Sequence, residues 1–193
     1  MARPYTHYIP IILTLSRIAL APVMVWLALY HPVPHLFAIC LIAAFLSDLF
    51  DGIIARRLRI ATPTLRRLDS IADSIFYIAT MYAAWHLYAD LIKPYLPALL
   101  LLALIEIARY LFDWLKYRRE TSYHMWSSKL WGIFLFVGFF YLLVYGYTGL
   151  STSLAIYMGV IADLEGLLIS LLLPHWRNDV PTVFHALKLR RTP

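Results

Sequence analysis

The stretch DLFDGIIARRLRIATPTLRRLDSIAD, residues 48–73, joins two apolar runs through an arginine-rich connection and carries a pair of aspartates at each end. Asp48 and Asp51 stand three positions apart, about 60° around a helix, and Asp69 and Asp73 stand four apart, about 40°. Each pair therefore projects from one helical face. The TPT run from Thr62 to Thr64 breaks the helical pattern between the two pairs. If the flanking helices lie antiparallel across Arg56 to Leu68, the pairs face each other around one polar pocket, a layout suited to hard divalent cations such as Mg²⁺. Gly52 lets another group approach the backbone beside Asp51. The competing reading is that these aspartates cap helices or pair at an interface with Arg56, Arg57, Arg59, Arg66 and Arg67.

The rest of the chain makes carboxylates in those positions costly. Of 193 residues 62% are apolar and only 15% are charged, where a soluble domain is about 45–50% apolar. A disordered chain, a coiled coil and an ordinary water-soluble enzyme are excluded. The apolar residues suffice for roughly six spans of about 20 each. We place these near Tyr8 to Tyr30, Leu36 to Ala55, Asp69 to Tyr88, Tyr95 to Trp114, Leu130 to Tyr147 and Ser153 to Leu173. The expectation is an all-α polytopic membrane protein of six helices forming one domain over residues 1–193. The first run is too long and too interrupted, by Arg17 and two prolines, for a cleaved leader, and reads as a retained helix.

Basic residues resist translocation and so orient the spans. The connection after the second span, the segment Leu115 to Lys129 and the tail together hold thirteen lysines and arginines, whereas the opposite connections hold only Lys93. Both termini are expected in the cytoplasm, as six spans require. The net charge of +6 then serves the anionic membrane surface rather than nucleic acid. Cys40 is the one cysteine, so no internal disulfide forms, and His124 and the other histidines lack zinc-ligand spacing.

A charge near the middle of a spanning helix costs roughly 2.5–3.5 kcal/mol on insertion scales, so each one needs a reason. Arg17 is expected to snorkel or to face a cavity. Asp163 and Glu165 are expected to turn inward to structural partners. Arg109 sits three residues after Glu106, with which it could pair, and Lys129 opens the fifth span, where a snorkelling role is the alternative. From His175 to Pro193 apolar and basic residues alternate, as in an amphipathic surface helix or a flexible basic tail.

With these residues in view the sequence resembles the CDP-alcohol phosphatidyltransferases, whose signature is D-x-x-D-G-x-x-A-R, eight residues, G, three residues, D, three residues, D. Asp48, Asp51, Gly52, Ala55, Arg56, Asp69 and Asp73 match at that spacing, while Leu65 stands where the signature has its second glycine. The run IPIILTLSRIALAP, Ile9 to Pro22, is similar to the family's first helix. The resemblance covers most of the chain and implies six spans and a homodimer. It also implies metal-dependent transfer of a phosphatidyl group from CDP-diacylglycerol to an alcohol with release of CMP. By it, Asp48, Asp51 and Asp69, with Asp73, would hold Mg²⁺ or Mn²⁺, Asp73 would be the general base, and Gly52, Ala55 and Arg56 would lie along the CDP moiety. It further suggests Arg66, Arg109 and Lys129 as anchors for a phosphate on the acceptor.

Glycerol 3-phosphate, giving phosphatidylglycerophosphate, is the leading acceptor, with inositol phosphate, serine, choline or a second phospholipid as alternatives. Membrane lipids are then partners, and the site is expected to face the cytoplasm from a bacterial inner membrane. Leu65 would crowd or shift the cytidine and keeps open a relative that binds nucleotide or lipid without turnover. A cation transporter using the same carboxylates is a third class, disfavoured by the signature spacing.

Overall fold

The computed structural model describes residues 8–191 except 59, 61, 120, 122, 124 and 178, with the backbone alone at 63, 66 and 191. His124 thus lies outside the described residues. Among the described residues there is no strand, and six helices are long enough to cross a hydrocarbon layer: α1 (Ile9–Tyr30), α2 (Pro34–Arg57), α3 (Pro63–Ile92), α4 (Leu96–Tyr117), α5 (Trp126–Tyr145) and α6 (Leu150–Leu172). A short α7 (Val183–Arg191) follows. These six contain 20 to 30 residues, hence roughly 30–45 Å at 1.5 Å per residue.

Local chemistry sets the ends. Proline stands in the first turn of α1, α2 and α4 (Pro10, Pro34, Pro97), where its missing N–H is no loss. α3 starts six residues before the expected span and runs on to Ile92, leaving helical geometry at Tyr88 (φ −135°, ψ 35°). Only the turn Lys93–Tyr95 separates it from α4. α4 closes on Arg118 in the left-handed conformation (φ 55°).

The chain packs as two compact units. The first holds the described residues up to Asp90 with Phe139–Tyr147, and the second holds Leu91–Gly138 with the described residues from Thr148 onward. In the first, α1 packs on α2 along a seam of buried Pro10, Thr14, Arg17, Ala21, Met24 and Ala28, alternating three and four positions apart. Ala44, Ser47, Asp51 and Ala55 are buried along α2. Lipid is as apolar as leucine, so helices associate by close contact, and small residues permit it. α3 buries Ala72, Phe76, Ala79, Thr80, Ala83 and Ala84 in the same manner.

In the second unit α4 packs on α6, whose Gly159 and Gly166 lie seven residues apart. A Cβ on Gly159 would come within 2.8 Å of the Trp131 ring and 2.9 Å of Leu102, and one on Gly166 within 2.9 Å of Arg109 Cδ. The two glycines are grooves for those side chains. Beyond α6, Tyr123, Met125, Ile169, Leu173, Val180 and Ala186 form a small core that seats α7. The helical part of the expected tail segment is thus 183–191, with Phe184 on its open face.

Candidate functional site

Asp48 and Asp51 on α2 and Asp69 and Asp73 on α3 converge on one point in the first unit, and that point is the guanidinium of Arg17 on α1. Arg17 Nη1 donates to Asp48 Oδ1 at 3.0 Å and to Asp73 Oδ1, and Nη2 donates to Asp51 Oδ2 at 2.5 Å and to Asp69 Oδ1. One turn earlier on α1, the Thr14 hydroxyl donates to Asp51 Oδ2 at 3.0 Å. The pocket foreseen from the spacing is therefore formed. Among the described residues the aspartates pair with an arginine from a third helix, α1.

Exposure gives the cluster a direction. The side chains of Arg17 and Asp51 are 1% and 5% exposed, whereas Asp48 is 50% exposed. The floor is sealed by α1 and α2 and the Asp48 side is open. One guanidinium faces four carboxylates, so three formal negative charges remain uncompensated in this set, and each aspartate keeps a second oxygen outside these bonds. Like charges this close require protons or cations.

The donor set fits a hard divalent cation. An oxygen from each of Asp48, Asp51 and Asp69 lies within 4.8 Å of the others. That is near the ~4 Å spanned by opposite oxygens around Mg²⁺. Asp73 reaches the same point through Arg17.

Around the cluster, Ala55 is buried on α2, and Arg56 is exposed one turn beyond Gly52. A Cβ on Gly52 would lie 3.3 Å from Arg56 Nη1, so the glycine leaves room for that guanidinium to fold back along the helix. Leu65 is half-buried in the first turn of α3, and its N–H donates to Thr62 Oγ1 at 3.2 Å. The side chain of Arg66 lies outside the described residues.

The other two expected anchors belong to the second unit. Arg109 pairs with Asp163 on α6, Nη1 to Oδ1 3.0 Å, rather than with Glu106 on its own helix. Asp163 is fully buried, and Arg109 Nε is buried without a hydrogen-bond partner among the described residues. Lys129 is exposed on the first turn of α5, its Nζ 4.5 Å from the ring centre of Trp126. Glu165 accepts from Ser127 Oγ at 2.5 Å and from the Val183 N–H at 3.4 Å, so one carboxylate serves the N-terminal ends of α5 and α7, where helix dipoles favour negative charge.

Three participants escaped the sequence reading. Arg17 had no assigned role, and Thr14 was not singled out. A signal existed in the alternating three-and-four spacing of residues 10, 14, 17, 21, 24 and 28, which puts both on the packed seam of α1. The third is Asp113, 3% exposed on α4, which accepts from Ser170 Oγ and from Thr121 Oγ1. Tyr123 donates to Ser170 Oγ at 2.8 Å, and burial pushes its phenol pKa up, keeping it a donor. Tyr117 and Lys116 donate to the Ser170 carbonyl at 2.8 and 2.6 Å. The network satisfies the carbonyl end of α6.

A family model described as CDP-alcohol phosphatidyltransferase matches residues 7–172. Similar curated proteins are named CDP-diacylglycerol--glycerol-3-phosphate 3-phosphatidyltransferase. That of Pectobacterium atrosepticum is 32% identical over 133 residues, covering 63% of this chain and 69% of the relative. That of Yersinia enterocolitica is 37% identical over 128 residues with the same two shares, and one from Yersinia pestis is 36% identical over 128. No solved structure matches the chain.

Proposed function

The chain belongs to the CDP-alcohol phosphatidyltransferase family, a membrane transferase of phospholipid synthesis, and from that membership we propose that it moves a phosphatidyl group from CDP-diacylglycerol to glycerol 3-phosphate. The products are phosphatidylglycerophosphate and CMP. The observation that carries this reading is the meeting of four signature aspartates from α2 and α3 at one partly open point. The names of the relatives support the acceptor.

Asp48, Asp51 and Asp69, with Asp73, would hold Mg²⁺ or Mn²⁺, which would supply positive charge for the pyrophosphate and the leaving CMP. Asp73 accepts the proton of the acceptor hydroxyl as its oxygen forms the new bond to the diacylglycerol-linked phosphorus. The bond from that phosphorus to the CMP oxygen breaks in the same displacement. A positioned carboxylate base contributes about 10²–10⁴-fold in such steps. Gly52, Ala55 and Arg56 line the CDP moiety, and Arg56 offers a forked donor to phosphate. Arg66, in the first turn of α3, anchors the acceptor phosphate.

The basic connections support a site and both termini on the cytoplasmic side of a bacterial inner membrane, and the family resemblance supports a homodimer. There the donor's headgroup lies at the interface while its chains stay in the bilayer. Leu65 favours one second reading, a relative that binds CDP-lipid without turning it over.

The deciding experiment measures CMP release from CDP-diacylglycerol by the purified protein with Mg²⁺ or Mn²⁺. The acceptor panel is glycerol 3-phosphate, inositol phosphate, serine, choline and phosphatidylglycerol. Release with glycerol 3-phosphate alone is expected. Release with another acceptor replaces the assignment, and silence with CDP-lipid binding intact favours the second reading.

A further inference from the structure

Arg17 is almost completely buried on the α1 seam, 1% exposed, and its two terminal nitrogens take an oxygen from each of the four aspartates. Its Nε, also buried, has no hydrogen-bond partner among the described residues. A side chain held only at its tip, by the groups that would ligate a cation, is placed as a counter-ion. Those oxygens come from α2 and α3 and meet at the guanidinium between them. A divalent cation seeks the same oxygens, and two centres of positive charge a few ångströms apart repel each other strongly in a poorly solvated site.

We propose that Arg17 is a built-in counter-ion of the aspartate cluster and that a divalent cation binds by competing with its guanidinium for the same carboxylates. The proposal rests on the metal-dependent reading above. Arg17 is thereby a positioning residue. It keeps four like charges assembled, and it sets metal affinity lower than four carboxylates alone would give. Thr14 supports this arrangement from the same face of α1 by holding Asp51 Oδ2 in place.

The test is Mn²⁺ binding to the purified full chain, read by the loss of free-Mn²⁺ paramagnetic resonance signal, for the parent, Arg17→Met and Arg17→Lys. Thermal unfolding with chelator and with Mn²⁺ is measured alongside. Arg17→Met is expected to bind Mn²⁺ at least about tenfold more tightly, since that competitor is gone. Its melting temperature should fall in chelator and recover with Mn²⁺ by more than the parent's does. Arg17→Lys, which keeps the charge but cannot fork to four oxygens, should fall between the two. A variant that merely misfolds loses metal affinity, so tighter binding has no structural explanation. Equal or weaker Mn²⁺ binding in both variants, with the parent binding normally, overturns the competition. Absence of Mn²⁺ binding in all three proteins overturns the metal-dependent reading along with it.

Discussion

Arg17 in the first unit and Arg109 in the second are both arginines on membrane-spanning helices, yet among the described residues Arg17 meets four carboxylates while Arg109 pairs with one, Asp163. The difference lies in charge balance. The Arg109–Asp163 pair is neutral by itself, with Asp163 1% and Arg109 18% exposed, and removing either partner would leave the other charge uncompensated. The Arg17 cluster carries excess negative charge and is partly open at Asp48, so it needs protons or cations to balance it. A local charge count thus separates a site that holds the fold from one that waits for a ligand, where the mere presence of buried charge does not.

The largest expected effect tests the excess charge. Asp73→Asn should lower CMP release by about 10³-fold, within the range for losing a general base. CDP-lipid binding should stay measurable, and the melting temperature should hold or rise as repulsion in the cluster is relieved. A variant that unfolds earlier yet keeps its turnover would invert the comparison, making the cluster the structural element.

The neutral pair should behave in the opposite way. Asp163→Leu leaves Arg109 buried without its partner and should cost about 3–5 kcal/mol, seen as a lowered melting temperature in detergent. Adding Arg109→Met should recover most of that loss, because an apolar replacement of a buried pair is close to neutral. If the double variant is no more stable than the single, Asp163 has a further role that pairing with Arg109 does not describe.

The smallest effect concerns the departure from the signature. Leu65→Gly should leave CMP release unchanged or raise it, since the backbone N–H at this position already has Thr62 as its acceptor whatever the side chain. A clear loss of activity would mark the leucine as an adaptation to this protein's own substrate.

Much of the site was legible because its geometry is local. The offsets between Asp48 and Asp51 and between Asp69 and Asp73 translate directly into helix faces, and the TPT break ensures that two helices carry them. Arg17 was not legible in this way, since its partners lie 31 to 56 residues away. Arg109 shows the same limit. Sequence proximity offers Glu106, one turn away, while the packed helices supply Asp163. In a soluble helix the polar face would have marked the inner side, but in lipid the buried and the lipid-facing sides are both apolar, so that cue is weak.

The sequence by itself therefore determined the number and approximate ends of the spanning helices, the pairing of the aspartates and the family, because hydropathy, helical period and motif spacing are properties of short stretches. Only the tertiary structure decided which buried arginine meets which carboxylates, and that α6 carries the grooves into which Trp131 and Arg109 fit. Those choices depend on contacts between helices distant in the chain. Their energies come from packing and charge compensation, which no local window contains.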